Sequence, residues 1–87
     1  MDEDEYLRLQ VYLFHHPKSG TIIRGSGGVR KNRLSAKGKG KSGGIRVIYF
    51  WKARDDEIWL LTVYGKSERE SIAGHILKQI AEEITDV

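Results

Sequence analysis

Residues 45 to 52 read Ile-Arg-Val-Ile-Tyr-Phe-Trp-Lys, a β segment that is apolar on both of its alternating faces. Alternation puts Arg46, Ile48 and Phe50 on one side and Val47, Tyr49 and Trp51 on the other. A strand of this kind cannot lie at a solvated sheet surface, so the rest of the chain must cover it from both sides.

The neighbouring sequence offers the material. Arg54-Asp55-Asp56-Glu57 reads as a polar turn and Ile58 to Tyr64 as a second β segment, which together make an antiparallel hairpin. Residues 3 to 16 read as a helix in which Tyr6, Leu9 and Leu13 form an apolar stripe widened by Leu7, Val11 and Phe14. Its acidic first turn suits the helix dipole, and Pro17 and Gly20 end it. Ile72, Ile76, Ile80 and Ile84 recur every four residues with Ala73, Leu77 and Ala81 beside them, predicting a terminal helix that runs through Gly74. Ser67 and Glu70 have capping-box spacing, with Ser71 as a rival N-cap.

Between the first helix and the hairpin, Thr21 to Ile23 reads as an apolar connector and Gly25-Ser26-Gly27-Gly28 as a tight turn. Val29 to Ser35 is a strand by alternation, with Lys31 and Arg33 on one face and Arg30, Asn32 and Leu34 on the other. Lys37 to Gly44 is a glycine-rich basic loop. The order helix, strand, hairpin, helix predicts one α+β domain over residues 1–87, built on a small antiparallel sheet with flanking helices.

Charge is segregated along this framework. Residues 24 to 54 carry ten lysines and arginines and no acid, whereas residues 1 to 23 carry two bases and four acids, and residues 55 to 87 three bases and eight acids. A block spanning two strands without a compensating acid points to a polyanionic partner. No cysteine is present, which excludes disulfides and thiolate metal sites. The acidic start, Met1-Asp2-Glu3-Asp4-Glu5, and the lack of a long apolar run lead us to expect a soluble cytoplasmic protein without a membrane span.

Other motifs carry less. Gly40-Lys41-Ser42 and Gly65-Lys66-Ser67 resemble the end of a phosphate-binding loop, but Ser35 and Leu60 stand where the leading glycine is required. His15 and His16 are adjacent at a helix end and His75 is remote, so they read as capping and surface groups; neither metal nor cofactor is expected. The aromatic residues read mainly as core, with Tyr64 and Trp51 the best placed to stack on a base.

Taken together, Gly27-Gly28-Val29-Arg30-Lys31-Asn32-Arg33, Gly38-Lys39-Gly40-Lys41-Ser42-Gly43-Gly44, Ile45-Arg46-Val47-Ile48-Tyr49-Phe50 and Leu61-Thr62-Val63-Tyr64-Gly65-Lys66 resemble the HigB branch of the RelE superfamily of toxin-antitoxin toxins. The resemblance implies a RelE-like fold and a ribosome-dependent mRNA endoribonuclease that inhibits translation. It assigns catalysis to Lys31 as base and to Arg33 and Arg46 as stabilisers of the phosphorane. RNA binding would fall on Arg30, Lys37, Lys39, Lys41, Lys66, Arg69 and Tyr64. Where relatives carry an arginine and a tyrosine after the glycine-lysine pair, this sequence has Ser67 and Ala73, with Arg69 or Tyr64 as replacements.

The implied partners are the ribosome, its mRNA and a cognate antitoxin of the helix-turn-helix, HigA-like kind. Relatives begin with a further strand and helix before the segment matched by Glu5 to His16, so the chain reads as N-terminally shortened. That would leave an open sheet edge through which a homodimer could form. A second reading, from a different class, is a catalytically inactive RNA- or ribosome-binding module neutralised by an antitoxin.

Overall fold

The computed structural model describes residues 3–34, 44–65 and 72–86. The predicted basic loop up to Ser42 and Gly43, and the capping-box residues Ser67, Glu70 and Ser71, lie outside these residues. Along the described chain the order is α1 (Glu3–His15), β1 (Thr21–Ile22), β2 (Arg30–Leu34), β3 (Ile45–Lys52), β4 (Glu57–Gly65) and α2 (Gly74–Thr85), with a single 3-10 turn at Ala53–Asp55 between β3 and β4. The strands form one antiparallel sheet in the order β1-β2-β3-β4. The expected α+β class therefore holds.

The doubly apolar β3 is covered as its pattern requires. On one face Val47 and Tyr49 pack with Leu9 and Leu13 of α1. On the other, Ile48 and Phe50 join Val29, Tyr64 and the α2 residues Leu77, Ala81 and Ile84. Each such buried side chain contributes roughly 1.5–3 kcal/mol. The polar turn closes through Asp56, whose left-handed backbone (φ 54°) reverses the chain. Ile48 pairs with Thr62 but Tyr49 pairs with Leu60, so Leu61 is the extra residue of a β-bulge.

The structure revises the sequence reading in three places. Thr21 and Ile22 are not a mere connector: they pair with Lys31 and Arg30 and form an edge strand. The last helix begins at Gly74, with Ala73 as an extended N-cap that makes no side-chain cap bond. A Cβ at position 74 would lie 2.9 Å from the Arg24 carbonyl oxygen, so the glycine permits a close approach between the helix start and the 24–28 turn. On α1 only Leu9 and Leu13 are buried; Leu7, Val11 and Phe14 are exposed. At about 100° per residue these three lie on the side of the helix opposite Leu9 and Leu13.

The turn leading into β2 is held by Ser26, which is fully buried. Its Oγ donates to the Ile23 carbonyl (2.6 Å) and accepts from the Val29 amide (3.0 Å). Gly27 and Gly28 follow it at φ 76° and 111°, where a side chain would be strained.

Candidate phosphate-binding groove

Among the described residues, six cations of the basic block fall into two populations. Arg30, Lys52 and Arg54 do structural work. The Arg30 Nη1 donates to the Gly20 carbonyl (2.8 Å), pinning the turn after α1. Lys52, 5% exposed, is paired with Asp55 at 2.9 Å. Arg54 donates to the Thr85 carbonyl at the end of α2 (3.3 Å), where a cation also meets the negative end of the helix dipole.

The second population comprises Lys31, Arg33 and Arg46. Lys31 and Arg33 alternate onto one face of β2, and register pairs Arg33 directly with Arg46 and Lys31 with Ile48. Side chains so opposed have Cβ atoms about 5 Å apart. Arg46 in turn pairs with Tyr64, so Arg33, Arg46 and Tyr64 form a row across three strands. The same face carries the α2 cluster, so apolar Ile48 shares its row with Lys31, and Tyr64 shares its row with Arg33 and Arg46.

Lys31, Arg33 and Arg46 line an open groove of about 620 Å³, walled on the other side by Thr21, Ile22 and Ile23. Among the described residues none of the three cations has an ion-pair partner. The Arg46 Nη1 is buried and has no hydrogen-bond partner among the described residues. A guanidinium nitrogen withdrawn from water without an acceptor is unfavourable, and so are like charges placed directly across a ladder. An anion in the groove relieves both, and a phosphate matches the guanidinium fork.

The groove wall depends on the opposite face of the sheet. Tyr49, fully buried, donates its hydroxyl to the Pro17 carbonyl (2.8 Å) and accepts from the Gly20 amide (2.9 Å). Asn32 Nδ2 donates to Ser19 Oγ (2.9 Å). With Arg30 these side chains fix residues 17–20 and hence β1, the strand forming the wall. Sequence reasoning did not identify Thr21, Ile22 and Ile23 as groove residues; their β-branched run was the only signal.

Of the other sequence-predicted residues, Arg30 lies on the opposite face of β2 with its guanidinium on backbone carbonyls. The Tyr64 ring is 8% exposed within the α2 cluster, leaving little of its face for a base. Trp51 is half-buried, with the Lys18 ammonium 5.8 Å from its ring centroid. Lys37, Lys39, Lys41, Lys66 and Arg69 lie outside the described residues. Leu34 and Ile45, which bracket the segment carrying the three loop lysines, are paired immediately beside Arg33 and Arg46. Among the described residues no group of His, Asp and Glu is arranged to hold a metal, and no helix is long and apolar enough to cross a membrane.

A small α+β domain whose groove carries three cations without an ion-pair partner among the described residues has the chemistry to accept a polyanion. A family described as the RelE toxin of the RelE/RelB toxin-antitoxin system matches residues 15–86, which span β1 to β4 and α2. The chain belongs to this RelE toxin family, whose members act within toxin-antitoxin systems and thus have an antitoxin partner.

Proposed function

We propose that the chain is a toxin of the HigB-like branch that cuts mRNA on the ribosome in the cytoplasm, and that the groove between β1 and β3 is where the scissile phosphate binds. The observation that carries this reading is the opposed pair Arg33 and Arg46, with the Arg46 Nη1 buried and without an acceptor among the described residues.

RNA cleavage of this type uses the nucleotide's own 2′-hydroxyl. That oxygen attacks the adjacent phosphorus and loses its proton; the bond from phosphorus to the 5′-oxygen breaks and that oxygen takes up a proton from water, leaving a 2′,3′-cyclic phosphate and a 5′-hydroxyl. Lys31 accepts the 2′-hydroxyl proton. Arg33 and Arg46 balance the extra negative charge of the phosphorane, the role that a preorganised cationic site performs best. Neither needs a metal. Lys37, Lys39, Lys41, Lys66 and Arg69 hold the RNA backbone, and the ribosome positions the strand. A helix-turn-helix, HigA-like antitoxin silences the protein by covering the groove.

Primer-extension mapping on a translated mRNA, with and without ribosomes, tests this. Cuts within the reading frame that require ribosomes are expected. An mRNA left intact in both arms, while the protein still binds RNA with a log-log salt slope of about −0.7 per phosphate, would favour a binding module instead.

A further inference from the structure

The outer side of α1 is the largest feature the groove does not use. Leu7, Val11 and Phe14 are 59%, 49% and 55% exposed and follow one another along the helix side opposite the buried Leu9 and Leu13. A helix lying on a sheet needs one apolar face, and this helix has two. Beside the outer stripe a groove of about 340 Å³ runs between Val11 and Phe14 of α1 and Ile58 and Leu60 of β4.

We propose that the outer face of α1 docks a second copy of this chain, with the two α1 helices antiparallel about a twofold axis passing beside Val11. The pattern is self-complementary. Reversing the helix about Val11 sets Leu7 of each copy against Phe14 of the other, filling the two grooves symmetrically, as an isologous contact requires. Charge follows the same symmetry. The first turn of α1 is acidic, with Glu3 and Asp4, and its last turn is basic, with His15 followed by the exposed Lys18. Asp4 and His15 flank the stripe on the same side, so the acidic end of each helix comes alongside the basic end of the other. A parallel arrangement would place acid against acid. The ten-cation block occupies other parts of the chain, so pairing through α1 leaves the Lys31, Arg33 and Arg46 groove open.

The twofold supplies a test, because a residue on the axis meets its own copy. Sedimentation velocity of the full chain over a concentration series should show a monomer–dimer equilibrium. Val11→Glu and Val11→Lys, both compatible with an exposed helix position, should each raise the dimer Kd by about tenfold or more, since like charges are then juxtaposed. Mixing the two variants should restore association, with circular dichroism confirming that each is folded. A wild-type chain that stays monomeric at every concentration overturns the proposal. So does a dimer that Val11→Glu leaves intact, which would assign the contact to another surface such as the edge of the sheet at β4, and so does failure of the mixed variants to associate.

Discussion

Arg33 and Arg46 are register partners on β2 and β3, two permanent positive charges facing each other on one side of the sheet. Such a pair works against the fold that contains it. Like charges directly across a ladder cost about 0.2–1 kcal/mol. Arg33→Thr removes the repulsion and supplies a good strand residue, so its melting temperature should rise by a few degrees, about 4–8 °C per kcal/mol for a domain of this size. Cleavage should fall in the same variant. A lower melting temperature would mean that Arg33 stabilises the sheet.

Lys31 and Arg33 share a face of β2, but only a lysine there can become a neutral base. Lys31→Arg keeps the charge and the groove while removing that capacity. RNA binding should persist, and cleavage should drop by about 10²–10⁴-fold. Full cleavage by Lys31→Arg would leave position 31 with an electrostatic role alone.

The Tyr49 hydroxyl bridges Pro17 and Gly20 from inside the core. Tyr49→Phe leaves a buried amide and carbonyl without that partner, and should cost about 1–3 kcal/mol. Because residues 17–20 carry β1 into the groove wall, activity should fall alongside stability. Gly20→Ala should act in the same direction, since its Cβ would come within 2.8 Å of the Tyr49 hydroxyl. Thermal melts of both variants check this; an unchanged Tyr49→Phe melt would remove the bridge from the account.

Asp55 accepts from the nearly buried Lys52, which holds the Asp55 carboxyl below its ordinary value of 3.8, with Arg54 adding to the effect. The folded pKa is depressed, so the stability it brings is present above the ordinary carboxylate range and is lost as pH falls through the folded value. Asp55→Asn should therefore melt lower than wild type near neutral pH, and the difference should vanish in strong acid. A difference that is constant with pH would assign the loss to something other than the ion pair.

How far the sequence reveals this molecule depends on whether the determining contacts are local. The β3–β4 hairpin and the shared face of Lys31 and Arg33 follow from alternation within a few residues, and both were legible. β1 was not, because a two-residue strand exists only through its pairing with Arg30 and Lys31. The start of α2 was misplaced because the capping signals at Ser67 and Ser71 are local, whereas the approach of Gly74 to Arg24 is tertiary. Similarly, the periodicity of α1 contains two apolar faces, and only the position of Val47 and Tyr49 decides which one is buried. Within the site, Arg46 could be named, but its placement opposite Arg33 required the register, and the diversion of Arg30 to the Gly20 carbonyl required the turn.

If the opposed arginines act on a scissile phosphate, removing Arg46 must slow the cut itself. Time courses of mRNA cutting on translating ribosomes should be compared for wild type and Arg46→Ala, each checked for an unchanged circular dichroism spectrum and a melting temperature no lower than wild type. Removing one preorganised donor to the phosphorane predicts a loss of about 10²–10³-fold in cutting rate at unchanged cut positions. A folded Arg46→Ala that cuts at the wild-type rate would contradict the account.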